Sequence, residues 1–199
     1  MTKQPPWQPP SQSPSIDNAS SPHCDPDGKD YREAMSRVVG AVHIITTGGE
    51  AGIAGFTATA VTSVSDSPPT VLVCLNSDSR SLDIIKANKT FCINTLAAHH
   101  ESISDIFAGR GGVYGAARFE HGAWEIKKEQ IKKGELNAKH SENTCYNPTL
   151  KDAIASFSCR VMSITPIATH EVIMGEVYKV TLGTPSPALA YHARRYISV

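Results

Sequence analysis

One alternating stretch limits what this chain can fold into. Residues 55–69 read GFTATAVTSVSDSPP, and hydroxyl-bearing side chains alternate there with small or apolar ones. Successive side chains of an extended strand point to opposite faces, so this period of two predicts a β-strand with a row of hydroxyls on one face. Pro68 and Pro69 cannot donate to a ladder, and we expect the strand to end there. A second, wholly apolar strand follows at Val71–Leu75.

Most other elements predicted from the sequence are also short strands. Further strands are expected at 41–47, 90–96, 155–165, 172–182 and 189–197, with surface strands and a loop in 124–146, and helices at 30–39, 79–88 and 99–108. Asp30 is the expected N-cap of the first helix and Glu33 its capping-box partner. Short strands separated by turn residues, with helices only at connections, predict a closed antiparallel β-barrel with a few peripheral helices.

The first 29 residues have a different composition from the rest. They are rich in Pro, Ser, Gln and Asp, with few apolar residues beyond Trp7 and Ile16. Such a segment buries too little apolar area to offset the entropy of ordering, so we predict a disordered tail at 1–29. A proline-rich recognition motif is the alternative. The chain of 199 residues therefore predicts one domain, at 30–199, after a tail.

Charge and motifs exclude several classes of function. Nineteen basic and 19 acidic residues balance, which disfavours nucleic-acid and membrane-surface partners. Five widely spaced cysteines, no signal peptide and no spanning apolar run predict a reduced, cytoplasmic protein. His99 and His100, followed by Glu101, lack metal-binding spacing, so no metal is expected. No G-x-G-x-x-G follows a strand, so no Rossmann domain is expected.

Two stretches together suit a planar, phosphorylated ligand. On the first strand, hydroxyls and backbone amides can bond a polar ring edge, and alanines let a flat ring approach. These candidates are Thr57, Ala58, Thr59, Ala60 and Ser63. An ordinary strand with one solvated face is the alternative.

The second stretch is a serine-rich turn before a predicted helix. Its candidates are Asn76, Ser77, Ser79, Arg80 and Ser81. A helix N-terminus attracts phosphate, and an arginine can add a bidentate contact. A plain serine N-cap would explain the same residues. Asn94 lies inside an apolar strand and needs a partner, which is either the ligand or a neighbouring backbone group.

Several segments resemble one known family. They are GFTATAVTSVSDSPPTVLVCLN at 55–76, YREAMSRVVGAVHIITT at 31–47, FCINTLA at 91–97, ATHEVIMGEV at 168–177 and ALAYHARRY at 188–196. The chain resembles flavin reductases of the FMN-binding split-barrel family. The resemblance is to reductase components of two-component aromatic monooxygenases, such as that of 4-hydroxyphenylacetate 3-monooxygenase.

This resemblance implies a fold, an activity and partners. The implied fold is a mainly β, Greek-key antiparallel split barrel, and the implied activity is an NAD(P)H:flavin oxidoreductase. Hydride would pass from NADH or NADPH to FMN or FAD, and the reduced flavin would supply a partner oxygenase. The family also implies a homodimer. The alternatives are a reductase of another acceptor, such as a cob(II)alamin-type corrinoid, and a non-enzymatic flavin- or haem-binding barrel.

The resemblance also assigns residues. The candidates on the first strand, on the serine-rich turn and at Asn94 would hold the flavin, with the turn at its phosphate. His170, Tyr191, Arg194 and Arg195 would lie on the NADH side, with His170 the catalytic candidate for proton delivery. A surface histidine followed by a charged edge strand is the alternative for this group.

Overall fold

The structure is a computed structural model that describes residues 28–130 and 144–199, without the side chains of residues 129, 130 and 144. The strands are β1 (Gly40–Ala41), β2 (His43–Gly49), β3 (Gly52–Ala58), β4 (Val61–Asp66), β5 (Pro69–Asn76), β6 (Thr90–Thr95), β7 (Trp124–Glu125), β8 (Glu129–Gln130), β9 (Thr144–Cys145), β10 (Thr149–Leu150), β11 (Ala155–Ile167), β12 (His170–Leu182), β13 (Leu189–His192) and β14 (Arg195–Ser198). The helices are α1 (Lys29–Ser36), α2 (Arg80–Asn88) and α3 (Glu101–Phe107), with 3₁₀ turns at Ala98–His100 and Gly115–Glu120. The predicted tail lies outside the described residues, apart from its last two, and so does the centre of the predicted 124–146 segment.

The body of the molecule, residues 36–199, is built on a seven-stranded antiparallel sheet with the order β3-β2-β6-β11-β12-β5-β4. Its two edge strands, β3 and β4, are consecutive in the chain and are joined only through Thr59 and Ala60. The sheet must therefore curl until its edges meet, and Phe56 of β3 accordingly shares a core cluster with Val73 of β5. The result confirms the predicted mainly β, antiparallel barrel, split between β3 and β4.

The predicted first strand is thus two strands, and this prediction was wrong in one respect. The 55–66 stretch alternates except at Val61 and Thr62, and the chain leaves β3 after Ala58 and enters β4 at Val61. The two halves lie at opposite edges of the sheet order. Their hydroxyls therefore do not form one continuous row along a single strand.

Two apolar clusters hold the body together. Inside the curled sheet lie Ile45, Phe56, Val73, Leu75, Leu82, Ile85, Phe91, Ile93, Cys159 and Ile173. Leu82 and Ile85 belong to α2, so this helix covers part of the barrel interior. A second cluster joins β2 and β6 to α3 and β13 through Val42, Ile44, Leu96, Ile103, Phe107, Leu150, Ala153 and Leu189.

The β11–β12 hairpin supplies the longest pairing, with 13 residues in each strand. Register shifts at Ser158/Cys159 and at Val161/Ser163 bend it, as bulges do. Pro166 was predicted to end its strand, but it lies inside β11 opposite Glu171. The structure corrects the boundary by two residues, because the second-last pair of a hairpin tolerates a missing donor on its outer side.

Helices α2 and α3 lie within two residues of their predicted positions, but α1 ends at Ser36 and not at the predicted residue 39. Helix α2 begins after Ser79, whose side chain accepts a hydrogen bond from the Ser81 amide, and this confirms the serine cap. Helix α3 buries Ile103 and Phe107 as predicted. Asp30, predicted as N-cap of the first helix, lies instead in the first turn of α1.

The predicted last strand is a hairpin. β13 and β14 pair with Tyr191 opposite Tyr196, and β13 also pairs with β1 in a three-stranded sheet. The turn residues Ala193 and Arg194 have φ values of 48° and 61°. Two consecutive left-handed residues make the tight hairpin turn that usually needs Asn and Gly. Neither residue type is present, which is why the turn was missed.

Candidate functional site

A cleft of about 530 Å³ opens beside the start of α2, and we call it the α2 cleft. Its lining residues are Ile53, Ala54, Gly55, Ser79, Arg80, Ser81, Ile84, Tyr114, Gly115 and Arg118. They come from β3, from the first turn of α2 and from the region of the second 3₁₀ turn. The volume falls within the range typical of small-molecule sites.

The α2 wall brings together three of the predicted residues. Ser79, Arg80 and Ser81 all line the cleft. Arg80 is exposed, and it makes no hydrogen bond or ion pair with any residue that the structure describes. Asn76 and Ser77 precede this wall in an ordered turn, in which the Asn76 side chain accepts from the Asp78 amide at 2.8 Å. The wall therefore presents a helix N-terminus beside an unneutralised guanidinium.

The β3 wall lines the cleft at Ile53, Ala54 and Gly55, and at Gly55 the missing side chain makes room for Phe107. A Cβ atom there would lie 2.7 Å from the Phe107 ring, so only glycine fits without a shift. Thr57, two residues on, donates its hydroxyl hydrogen bond to the Ser104 carbonyl of α3 at 2.6 Å. The Thr57 hydroxyl therefore donates its proton within the protein, and this proton is not available to a ligand. Thr59 and Ala60 are exposed in the link between β3 and β4.

Arg118 forms part of the remaining wall, and sequence reasoning missed it. Its Nε donates to the Val113 carbonyl at 3.1 Å, and its Nη1 donates to the carbonyls of Gly55 at 3.1 Å and Phe107 at 3.3 Å. Only its place at the end of a glycine-rich stretch marked it in the sequence. No spacing relates it to the serine-rich turn, so only the tertiary structure brings them to one cleft.

Ser63 belongs to a different cavity, of about 360 Å³, which we call the β4 cavity. Its lining residues are His43, Val61, Thr62, Ser63, Ser65, Asp66, Pro69, Thr70, Val71, Ile93, Thr95, Phe157, Val177 and Val180. Ser63 is therefore not a neighbour of Ser79 and Ser81 in the α2 cleft. The predicted single hydroxyl face is therefore divided, and the role of Ser63 as a flavin contact stays a prediction.

His43 is the titratable group with the most altered surroundings in the β4 cavity. It is 9% exposed, and its Nδ1 lies 3.1 Å from the Thr95 hydroxyl. Burial lowers the pKa of His43 to about 4. The imidazole is therefore neutral at neutral pH, and it can act there as a hydrogen-bonding group without charge.

Asn94 is fully buried and satisfied by the protein. Its Nδ2 donates to the Ile44 carbonyl at 3.1 Å and to the Thr46 hydroxyl at 3.3 Å. Its Oδ1 accepts from the Leu150 amide at 2.9 Å and from the Ser156 hydroxyl at 3.1 Å. Because its side chain reaches neither solvent nor a cavity lining, the structure favours the structural alternative over a ligand contact.

The predicted NADH-side residues do not form one group. His170 begins β12 opposite Asn76, with its Nδ1 3.0 Å from the Thr169 hydroxyl, and it is exposed beside the turn before α2. Tyr191 and Arg195 lie in the three-stranded sheet, on different strands of its hairpin. The prediction that these two residues share a face of one strand was wrong, because the chain turns between them.

Tyr191 and its neighbours instead form a network with α3. The Tyr191 and Tyr196 rings meet at a centroid distance of 5.3 Å. The Tyr196 hydroxyl donates to Asp105 at 2.9 Å, and Arg110 reaches the same carboxylate at 2.8 Å. Burial, with the Asp105 hydrogen bond adding to it, raises the pKa of Tyr196. These contacts explain the tyrosines as packing groups.

One cluster has ligand types that could hold a metal. The side-chain atoms of His99, His100 and Asp152 lie within 4.8 Å of one another. However, Nδ1 of His100 accepts a hydrogen bond from the Ala97 amide at 3.0 Å, so the ring proton of the neutral imidazole is on Nε2. Nε2 faces Asp152 at 3.1 Å, and its proton occupies the position that a metal would need.

The comparison with known proteins decides the family. The model of the flavin reductase like domain matches residues 35–199. This chain belongs to the flavin reductase like family. The match confirms the resemblance inferred from the sequence, and it covers the barrel, the α2 cleft and the β4 cavity. No helix among the described residues is long and apolar enough to cross a membrane.

Individual members of the family are similar over most of their length. An FMN reductase (NADH), RutF, from Agrobacterium fabrum is 42% identical over 84% of this chain and 86% of its own. A crystal structure of a protein assigned as a flavin reductase from Haemophilus somnus is 35% identical, with a TM-score of 0.71, over 85% of this chain and 97% of its own. The flavin reductase PheA2 is 26% identical, with a TM-score of 0.68, over 88% of this chain and 99% of its own.

Proposed function

We propose that this chain is an NAD(P)H-dependent flavin reductase that transfers hydride from NADH to FMN or FAD. The observation that carries the proposal is the chemistry of the α2 cleft. Its lining combines a helix N-terminus and two arginines with the backbone of Gly55, and none of its described lining residues has a carboxylate. Such a cleft suits a flat ligand that ends in a phosphate. The relative named an NADH-dependent FMN reductase supports the same activity.

The protein's own part would be binding and orientation. The amides at the start of α2, with the Ser79 and Ser81 hydroxyls, would hold the phosphate. The backbone from Gly55 through the link at 59–60 would face the ring, where small side chains leave room. A bound flavin supplies the hydride acceptor, and that chemistry belongs to the cofactor. The chain's residues therefore need no strong acid or base for hydride transfer.

The nicotinamide nucleotide would be held by a few contacts on the open side of the cleft. His170 is our candidate contact, because it is exposed and lies opposite Asn76, at the start of the turn that leads into α2. Its imidazole can bond a carboxamide or a phosphate oxygen. We do not retain Tyr191 and Arg195 in this role, since they lie in another sheet.

The partners follow from the same family membership. We propose that reduced flavin leaves the cleft and supplies an oxygenase, as in the two-component systems that the sequence resembles. We also propose a homodimer. Exposed apolar side chains on β4 and β12 support it, since Val64, Val180 and Leu182 are 48%, 51% and 81% exposed. Val180 also lines the β4 cavity, and contiguous exposed apolar groups can mark an interaction surface.

One experiment tests the activity directly. Purified protein is mixed with NADH or NADPH and, in parallel, with FMN, FAD, riboflavin or a corrinoid, and absorbance near 340 nm is followed. We expect rapid loss of absorbance with a flavin. Rapid loss with the corrinoid alone would support the alternative acceptor. No oxidation in any mixture, with flavin still bound, would contradict the proposed reductase and support a binding protein.

A further inference from the structure

The α2 cleft contains a second cation whose orientation is set by the protein. Arg118 has five N–H donors, and three of them bind the carbonyls of Val113, Gly55 and Phe107. These bonds hold the planar group at Nε and Nη1. The two N–H groups of Nη2 make no hydrogen bond with a described residue. Because the side chain lines the cleft, they are the donors available to a ligand.

The charge of Arg118 is not neutralised inside the described part of the chain. No described Asp or Glu lines the cleft, and neither Arg118 nor Arg80 forms an ion pair within the described ranges. Carbonyl dipoles orient a guanidinium but leave its net charge in place. Arg118 is also half-buried, and desolvating a cation is unfavourable unless an anion approaches it. An anionic ligand group in the cleft would provide that compensation.

The two arginines differ in how they can bind. Arg80 is exposed and unrestrained, so it must lose rotamer freedom when it contacts a ligand. Arg118 has already lost that freedom to three backbone carbonyls. A pre-oriented guanidinium gains more from each ligand bond, and its planar fork matches phosphate oxygens.

We propose that Arg118 is a second phosphate-binding residue, which contacts the terminal phosphate of the flavin together with the first turn of α2. The inference rests on the proposed flavin site, and it adds a residue that lets this site distinguish phosphorylated from unphosphorylated flavin. The cleft would select FMN over riboflavin through two walls: the serine-rich turn with Arg80, and Arg118. The pyrophosphate of NADH has the same chemistry, so the experiment must separate the two sources.

The test uses Arg118→Met and Arg118→Lys, with Arg110→Met as the matched control. Arg110 is in the same glycine-rich region, pairs with Asp105 at 2.8 Å and does not line the cleft. Dissociation constants for FMN and riboflavin are measured by quenching of flavin fluorescence, and KM for NADH is measured with riboflavin as acceptor. Riboflavin lacks the phosphate, so it reports whether each variant has kept a folded ring site.

We expect Arg118→Met to weaken FMN about 10- to 100-fold, which is the loss of one charged hydrogen-bonding group. Riboflavin affinity and KM for NADH should stay within about twofold of the wild type, the usual range for substitutions outside a contact. Arg118→Lys keeps the charge without the planar fork, so we expect its FMN affinity to lie between those of the wild type and Arg118→Met. Arg110→Met should leave all three values unchanged.

Three outcomes would overturn the assignment. Equal weakening of FMN and riboflavin would mean that Arg118 only supports the β3 wall. Unchanged FMN binding would mean that Arg118 contacts no flavin phosphate. A raised KM for NADH alone would mean that Arg118 binds the nicotinamide nucleotide. If Arg118→Met does not fold, Arg118→Lys is tested in its place. Inorganic phosphate should then raise the thermal midpoint of the wild type but not that of Arg118→Lys. Failure of the wild type to bind any flavin would instead contradict the proposed function.

Discussion

At the scale of single residues, Asn94 shows how burial separates a structural polar group from a functional one. Its four hydrogen bonds to nitrogen and oxygen partners join β6 to β2, to β10 and to β11. The sequence shows only a polar residue in an apolar strand. The partners lie about 50 to 60 positions away in the chain, so no local pattern could identify them.

Asn94→Leu should therefore destabilise the fold. The change leaves the buried Leu150 amide without its acceptor, at about 1–3 kcal/mol, and it also removes the bonds to Ile44, Thr46 and Ser156. We expect urea unfolding to give a loss of at least about 2 kcal/mol, with flavin affinity unchanged in the folded fraction. Ser156→Ala, which removes one of the four bonds, is the control and should cost less. Loss of flavin binding with wild-type stability would contradict this prediction.

His43 gives the molecule a predictable dependence on pH. The folded protein keeps this imidazole neutral down to about pH 4, because burial lowers its pKa to about 4 from 6.5. The unfolded chain takes up the proton near pH 6.5, so it binds more protons across this interval. The contribution of neutral His43 to the free energy of unfolding is therefore present above pH 6.5. It is lost as the pH falls toward 4, by up to about 3 kcal/mol.

His43→Gln should flatten the fall in unfolding free energy between pH 6.5 and 4, because glutamine does not titrate. Chemical unfolding at several pH values measures this. His121→Gln, at an exposed position, is the matched control and should leave the slope unchanged. An equal slope in the wild type and in His43→Gln would show that other groups govern stability in acid.

His170 is the residue that we expect to affect NADH and not the flavin. His170→Ala removes one imidazole hydrogen bond, worth about 0.5–1.5 kcal/mol, so KM for NADH should rise about two- to tenfold. Steady-state kinetics with FMN at saturation measure it, with His121→Ala as the control. A fall in kcat with a changed pH profile, at constant KM, would instead point to proton delivery.

At the scale of elements, α2 is where local sequence and site coincide. Ser79 caps the helix, and the same turn lines the α2 cleft. Cap residues are recognisable because their bonds run to amides two or three positions ahead. The position of this wall was therefore predictable, whereas the β3 and Arg118 walls depend on packing between distant segments.

Replacing Ser79 and Ser81 together by alanine should weaken FMN much more than riboflavin. The change removes two hydroxyls at the proposed phosphate end of the cleft, where each neutral hydrogen bond is worth about 0.5–1.5 kcal/mol. Fluorescence titration with both ligands measures the ratio. Loss of the cap also destabilises α2 by about 1 kcal/mol, which thermal unfolding detects. An equal loss for both ligands would show that the turn does not bind phosphate.

At the scale of the whole molecule, the split barrel has an open cavity bordered by exposed apolar side chains. Val180 lines the β4 cavity, and Val64 lies on the edge strand that borders it. An edge strand with exposed apolar groups is usually covered. A second copy of the chain is the cover that we propose.

Val64→Asp combined with Val180→Asp should shift the protein toward the monomer, because a carboxylate opposes burial in an apolar interface. Light scattering coupled to size exclusion measures the mass. Ile167→Asp, equally exposed at the other end of the β11–β12 hairpin, is the control and should leave the mass unchanged. A wild-type monomer, or a dimer in all variants, would contradict this interface.

The sequence by itself determined most of the strands, the two body helices and the serine cap, because these depend on contacts within a few residues. The strand pattern and the family resemblance both predicted a barrel, and the resemblance added the proposal that the turn before α2 binds phosphate. The tertiary structure alone decided that the alternating stretch divides at Thr59–Ala60, that Ser63 faces the β4 cavity, and that Arg118 joins Arg80 in one cleft. Each of these depends on how a sheet curls and which distant segments meet, and alternation along one strand carries no information about either.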